Sequence, residues 1–136
     1  MMTRCRSAGT IAGTDAKESV KLLRFLGDSF AVLMSFPDDI RKTAGQQFRR
    51  LQKREMLRIK SEYKPFPDAG PGVSELIVDN QDGWYRFFYV TKFEDAIYVL
   101  HAFQKKSNAT PKSEIDIAKK RYGVLAQEQL FARRKR

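Results

Sequence analysis

The residue pattern predicts an α+β fold in the order β-α-α-β-β-β-α. It has a mainly antiparallel four-stranded sheet, a helix hairpin on one face and a C-terminal helix. Three observations predict it. Three runs rich in aromatic and β-branched residues follow one another with connections of about four residues, which marks an antiparallel meander. A stretch before them repeats its apolar residues every three or four positions, as a helix with one buried side does. A Thr-Pro pair late in the chain opens a last segment with the same periodicity.

In chain order, VKLLRFL (Val20–Leu26) is short, apolar and ended by Gly27, which suits a buried first strand. Asp28 is placed to cap a short helix through AVLMSF. Ser35, then Pro37 at a first helical position and Asp38 and Asp39 in the first turn, signal the start of a second helix. Its apolar positions Phe36, Ile40, Ala44, Phe48 and Leu51 share one face. Arg41, Lys42, Arg49, Arg50, Lys53 and Arg54 mostly occupy the others. That pattern breaks after Leu57, and KPFPDAGPG (Lys64–Gly72) reads as a loop. Strands are expected at Val73–Asp79, Trp84–Thr91 and Ala96–Gln104, joined by turns at Asn80–Gly83 and Lys92–Asp95. Thr110 caps the last helix, Pro111 takes its first position, and Ile115, Ala118, Tyr122 and Leu125 form its buried stripe. A hairpin on one face leaves the opposite face of the sheet partly open.

The domain so read spans 20–126. Residues 1–19, small and polar, are expected to be a disordered extension, and 127–136, ending in ARRKR, a solvated basic tail. No apolar stretch has the length of a signal peptide or a membrane span, so the expected location is the cytoplasm. The lone cysteine, Cys5, suits a reducing compartment and cannot form an intramolecular disulfide. With one histidine as well, no metal site is expected, and nothing in the sequence asks for an organic cofactor.

Charge narrows the function. Lysines and arginines number 26 against 16 aspartates and glutamates, a formal net charge of +10. Such a surface attracts polyanions at long range, with nucleic acid the first candidate and an acidic protein or anionic membrane behind it. Between Arg41 and Lys64 nine basic residues stand against two acidic ones. No glycine-rich phosphate loop is present, since Gly70 and Gly72 flank Pro71 outside any strand-to-helix context. A nuclease without metal is left open: RNA supplies its own 2′-hydroxyl nucleophile, and lysine and arginine can neutralise the developing phosphate charge. Arg86 is the notable cation, set in the otherwise apolar WYRFFYVT. Trp84, Arg86 and Phe88 share one strand face, and Tyr85, Phe87 and Tyr89 the other. Arg86 then either faces an open surface or pairs with a carboxylate such as Glu75 on the neighbouring strand. Lys105 and Lys106 follow Phe103 at the end of the last strand. His101 reads as a half-buried packing residue, with contact to RNA or proton exchange as the alternative.

These residues resemble the RelE/ParE toxin superfamily, and within it the HigB-like, phage-derived branch. The matching stretches are FLGDS (25–29), FPDDIR (36–41), KPFPDAGPGVSEL (64–76), WYRFFYV (84–90), AIYVLHAFQKKS (96–107) and TPKSEIDIAKKRY (110–122). They cover nearly everything from Val20 to Leu125. The resemblance implies the toxin of a type II toxin–antitoxin system, a ribosome-dependent mRNA endonuclease that inhibits translation. It implies Arg86, Lys105 and Lys106 as catalytic residues and Lys64 as a phosphate contact, while the basic run with Arg49, Arg50, Lys53 and Arg54 is expected to bind RNA by its charge, with His101 as a further candidate contact. Its partners are the ribosome, mRNA and a cognate antitoxin carrying a helix-turn-helix domain. One departure is Glu75–Leu76–Ile77, where many relatives carry basic residues on the second strand. Tyr122 matches only as a packing residue. The superfamily also contains ParE-like inhibitors of DNA gyrase, and a relative that only binds nucleic acid is a third reading.

Overall fold

A computed structural model describes residues 21–53, 62–105 and 110–134. The extension expected at 1–19, the end of the second helix towards Leu57, and Arg54 and Lys106 lie outside the described residues. The elements are β1 (Leu22–Phe25), α1 (Ser29–Met34), α2 (Asp38–Gln52), β2 (Glu62–Pro65), a 3-10 turn (Pro67–Ala69), β3 (Val73–Asn80), β4 (Gly83–Val90), β5 (Ala96–Lys105) and α3 (Lys112–Arg134). They form one sheet in the order β1-β5-β4-β3-β2, with β1 parallel to β5 and the other neighbours antiparallel.

The α+β class and the order of its larger elements are as the sequence predicts. The sheet has a fifth strand, β2, where the sequence reads only the break after Leu57 and the start of the loop at Lys64. Its residues, EYKP, are charged and end in proline, so they carry no strand signal. An edge position tolerates both, because only one side of the strand needs backbone partners. Pairing with β3 supplies them. Two start signals also shift: α2 begins at Asp38 with Pro37 just before it, and the Asp28 side chain makes no capping hydrogen bond. At the other end α3 runs to Arg134, so most of the expected tail is helical, with Ala132 and Arg133 exposed.

Each face of the sheet has its own core. On one face, Leu76, Val78, Tyr85, Phe87, Tyr89, Ile97 and Val99 pack against Leu33 of α1, the connecting Phe36, and Ile40, Ala44 and Phe48 of α2. The predicted helix stripe is the one buried. Phe87 is its centre, with Phe48 edge-on at 5.5 Å and Phe36 at 5.9 Å, both favoured ring geometries. On the opposite face, Val73, Phe88, Val90, Tyr98, Leu100 and Phe103 lie beneath Ala118 and Leu125 of α3, with Ala69 beside them. That face is therefore largely roofed by the C-terminal helix rather than open. α3 reaches it because its stripe of small and long apolar residues would otherwise stay in water.

A bulge makes the second core possible. Phe88 pairs with His101 and Tyr89 with Val99, so Leu100 is an extra residue in β5. Strict alternation would send Leu100 and His101 to opposite faces; the bulge turns both towards α3.

Phe87 is fully buried between two rings, so Phe87→Ala should cost about 3–5 kcal/mol of stability in denaturant unfolding. A loss under 1 kcal/mol would mean the α2 face is not the packed core described.

Candidate nucleic-acid interface

Arg86 sits in the middle of β4 on the α3 side of the sheet. It stands opposite Ile77, and Glu75 stands opposite Phe88, so Arg86 and Glu75 are diagonal neighbours. Its guanidinium NH1 donates to Glu75 Oε2 at 2.8 Å. Arg86 is 6% exposed and Glu75 0%. The two charges cancel, so a phosphate near this pair feels little of the guanidinium's field. Of the two readings of Arg86, the structure shows the paired one. Among the described residues Glu75 Oε1 and Arg86 Nε find no hydrogen-bond partner, and a buried pair of this kind adds little to stability over apolar residues.

His101 is buried and fully bonded, not merely packed. Its Nε2 meets the Glu114 carboxylate of α3, and its Nδ1 lies 3.3 Å from NH1 of Arg121. A guanidinium only donates, so Nδ1 accepts, and the ring is assigned as the neutral tautomer with its proton on Nε2. The imidazole also stacks on Phe103, with centroids 5.5 Å apart. Both nitrogens are engaged and 5% of the residue is exposed, so this ring does not reach an RNA strand in the structure described.

Arg121, which the sequence pattern does not single out, ties three segments together. It donates to the Leu100 carbonyl at 2.9 Å and to Asp28 Oδ1 at 2.9 Å. The Arg121 hydrogen bond holds the Asp28 carboxyl below its usual range. Gly27 faces the same guanidinium with φ +57°, a conformation and a closeness that a side chain would not allow. In the sequence this signal is legible only as a glycine ending the first strand.

The cations that face water lie elsewhere. Arg49, Arg50 and Lys53 sit on the last turns of α2 and, with Gln46, line an open concavity of about 310 Å³. Among the described residues no acidic one lines it. Residues three and four apart share a helix face, and the negative end of the helix dipole favours cations there. This cluster is on the opposite side of the sheet from Arg86 and His101. Lys64 lies in β2, opposite Glu75 in register, and Lys105 ends β5 opposite Trp84. Thus Arg49, Arg50 and Lys53 come together, Arg86 and Lys105 occupy adjacent strands, and His101 is enclosed. The sequence pattern puts Trp84 on the face of Arg86 and Phe88 but does not mark it as exposed; it is 40% exposed in a strand otherwise buried from Tyr85 to Val90.

Near the other end of β5, Tyr98 is buried and donates to Asp95, which with Gln129 pins the C-terminal half of α3. Burial, then the Asp95 carboxylate, pushes the Tyr98 phenol up to about 12. Burial pushes Asp95 the other way from its hydrogen bonds, but Tyr98 and Gln129 together hold its carboxyl low.

Residues 31–123, about two thirds of the chain, match the family model described as Phage derived protein Gp49-like (DUF891). The match runs from α1 into α3. No curated protein matches the chain. Among the described residues no helix is long and apolar enough to cross a membrane.

Two outcomes are expected. Arg86→Ala leaves the Glu75 carboxyl without its partner in the interior, so it should cost about 3–5 kcal/mol, while Glu75→Leu with Arg86→Met restores most of it. A single mutant melting like the parent protein would place the guanidinium outside the packed interior. The folded state favours the neutral Tyr98 phenol, so its stabilisation is complete below pH 10.0 and fades as the pH rises towards about 12. Denaturant midpoints measured across that window should fall, and Tyr98→Phe should flatten the fall.

Proposed function

The chain belongs to the Gp49-like family of phage-derived proteins, a RelE-like family tied to toxin–antitoxin systems, and from that premise we propose that it is a type II toxin of the HigB-like branch. Its proposed activity is ribosome-dependent, metal-independent cleavage of mRNA, which stops translation. The observation that carries the nucleic-acid side of this reading is the cluster of Arg49, Arg50 and Lys53, with Arg49 and Lys53 exposed, on a chain of net charge +10. Such a cluster takes adjacent phosphates of folded RNA without reading sequence, as anchoring to a ribosome requires.

In the proposed reaction the 2′-hydroxyl of the mRNA gives up its proton to solvent, its oxygen attacks the adjacent phosphorus and the bond to the 5′-oxygen breaks. The products are a 2′,3′-cyclic phosphate and a 5′-hydroxyl, which takes up a proton. Charge builds on the phosphate in the transition state, and nearby cations stabilise it. Lys105, Lys106 and Lys64 are the proposed stabilisers, since the charge of Arg86 is matched by Glu75. Arg86 then serves by tying β4 to β3, the two strands that lie between the β5 of Lys105 and the β2 of Lys64. The proposed partner is an antitoxin with a helix-turn-helix domain, whose acidic surface is drawn to the same cations.

The neutralised Arg86 and fully bonded His101 favour a second reading, a ParE-like inhibitor of gyrase or a non-cutting relative. Induction in cells separates them. Collapse of protein synthesis before any loss of DNA supercoiling, with mRNA ends bearing 2′,3′-cyclic phosphate, supports the nuclease. Loss of supercoiling first, with intact mRNA, removes it.

Binding to ribosomes should weaken steeply with salt. Replacing Arg49 and Lys53 by alanine should lower the slope of log affinity against log salt by roughly 0.7–0.9 for each phosphate that is no longer neutralised. An unchanged slope would show that α2 does not touch RNA.

A further inference from the structure

We infer that Trp84 and Asp79 form a base-reading pair: the indole stacks on one unpaired base of single-stranded RNA, and the carboxylate accepts from that base's exocyclic amino group. The inference rests on the RNA-directed reading above and names a contact that reading leaves out. Trp84 and Asp79 stand directly opposite each other in the β3–β4 ladder, so both side chains project from the same face. It is the face that carries Arg86, Phe88 and Phe103. α3 roofs that face over Phe88 and Phe103, but at this end Trp84 is 40% exposed and Asp79 is exposed as well.

The surroundings select the ligand. A flat ring on an open sheet end, opposite Lys105 in register, places an aromatic beside a cationic position, as single-strand binders do. The net charge of +10 draws a polyanion and disfavours a second copy of this chain. Asp79 repels a phosphate lying directly on the ring, so the base, not the backbone, is the part that docks. A carboxylate accepts from the amino groups of cytosine, adenine and guanine. Uracil has no exocyclic amino group and offers a carbonyl oxygen that the carboxylate repels. The site should therefore disfavour uridine. The turn beneath is firm: Asn80 Oδ1 accepts from the backbone N–H groups of Asp82 and Gly83, at 2.8 and 3.1 Å, which fixes the hairpin bearing both residues.

Trp84 is the sole tryptophan of the chain, so its emission reports on this contact alone. The experiment titrates the full-length protein with short oligo(rA) and oligo(rU), reading tryptophan emission and the anisotropy of labelled RNA together. Oligo(rA) should quench the emission and bind more tightly than oligo(rU). By anisotropy, Trp84→Ala should weaken oligo(rA) binding roughly tenfold, and Trp84→Phe should recover most of that. Asp79→Ala should leave stacking in place and bring oligo(rA) and oligo(rU) to similar affinity. If RNA binds by anisotropy while emission is unmoved and Trp84→Ala is silent, the pair is not a base site although the RNA-directed reading stands. Equal binding of the two oligonucleotides by the parent protein removes Asp79 from the proposal. Emission that responds only to a co-expressed protein partner makes the ring a protein contact and overturns it. No binding to either oligonucleotide overturns both this inference and the RNA-directed reading.

Discussion

Burial of β4 and β5 on both faces is the constraint from which the rest of the molecule follows. Between them these strands carry Phe87, Tyr89, Ile97 and Val99 to one core and Phe88, Val90, Tyr98, Leu100 and Phe103 to the other. Neither strand has a face to give to water along most of its length, so two helical layers are required, and α2 and α3 supply them. The bulge at Leu100 belongs to this constraint. By turning two consecutive side chains of β5 towards α3, it creates both the apolar seat for Ala118 and Leu125 and the polar anchor at His101.

That double burial also dictates how charge is distributed. A cation on β4 inside the second core needs a partner there, and Glu75 on β3 supplies it. His101, Glu114, Arg121 and Asp28 resolve the same problem where α3 crosses β5, each polar group answering another. The interior is thus close to neutral, and the surplus positive charge of the chain is carried outward, with one group of cations at the end of α2. Long-range attraction and phosphate contact depend on the outer charge, whereas the inner pairs position strands and helix.

Under the proposed function, this would separate binding from chemistry. A toxin that works on a ribosome must first hold a large, structured polyanion, and a rigid helix presenting Arg49, Arg50 and Lys53 suits that task. Cutting or reading a single strand needs groups on a different surface. The exposed end of the β3–β4 hairpin, with Trp84 and Asp79, is rigidly built and not roofed by α3. Two surfaces on opposite sides of one sheet fit a protein that grips one nucleic acid while contacting another.

The sequence by itself determined the α+β class, the three-strand meander, the buried stripe of α2 and the sorting of Trp84, Arg86 and Phe88 from Tyr85, Phe87 and Tyr89. Each of these rests on local periodicity or turn chemistry, which neighbouring residues encode. It also carried the family, through motifs that run from Phe25 to Tyr122. Pairing between distant segments was decided only in the tertiary structure. β2 exists because β3 offers it a ladder, although EYKP has little strand character of its own. The roof of α3 over the second face, the enclosure of His101 and the role of Arg121 depend on a one-residue bulge that no local pattern announces. Arg86 shows the limit most directly. The sequence named both of its fates, an open surface or a pair with Glu75, and the choice between them belonged to strand register, because a diagonal contact across two strands is set by how they align.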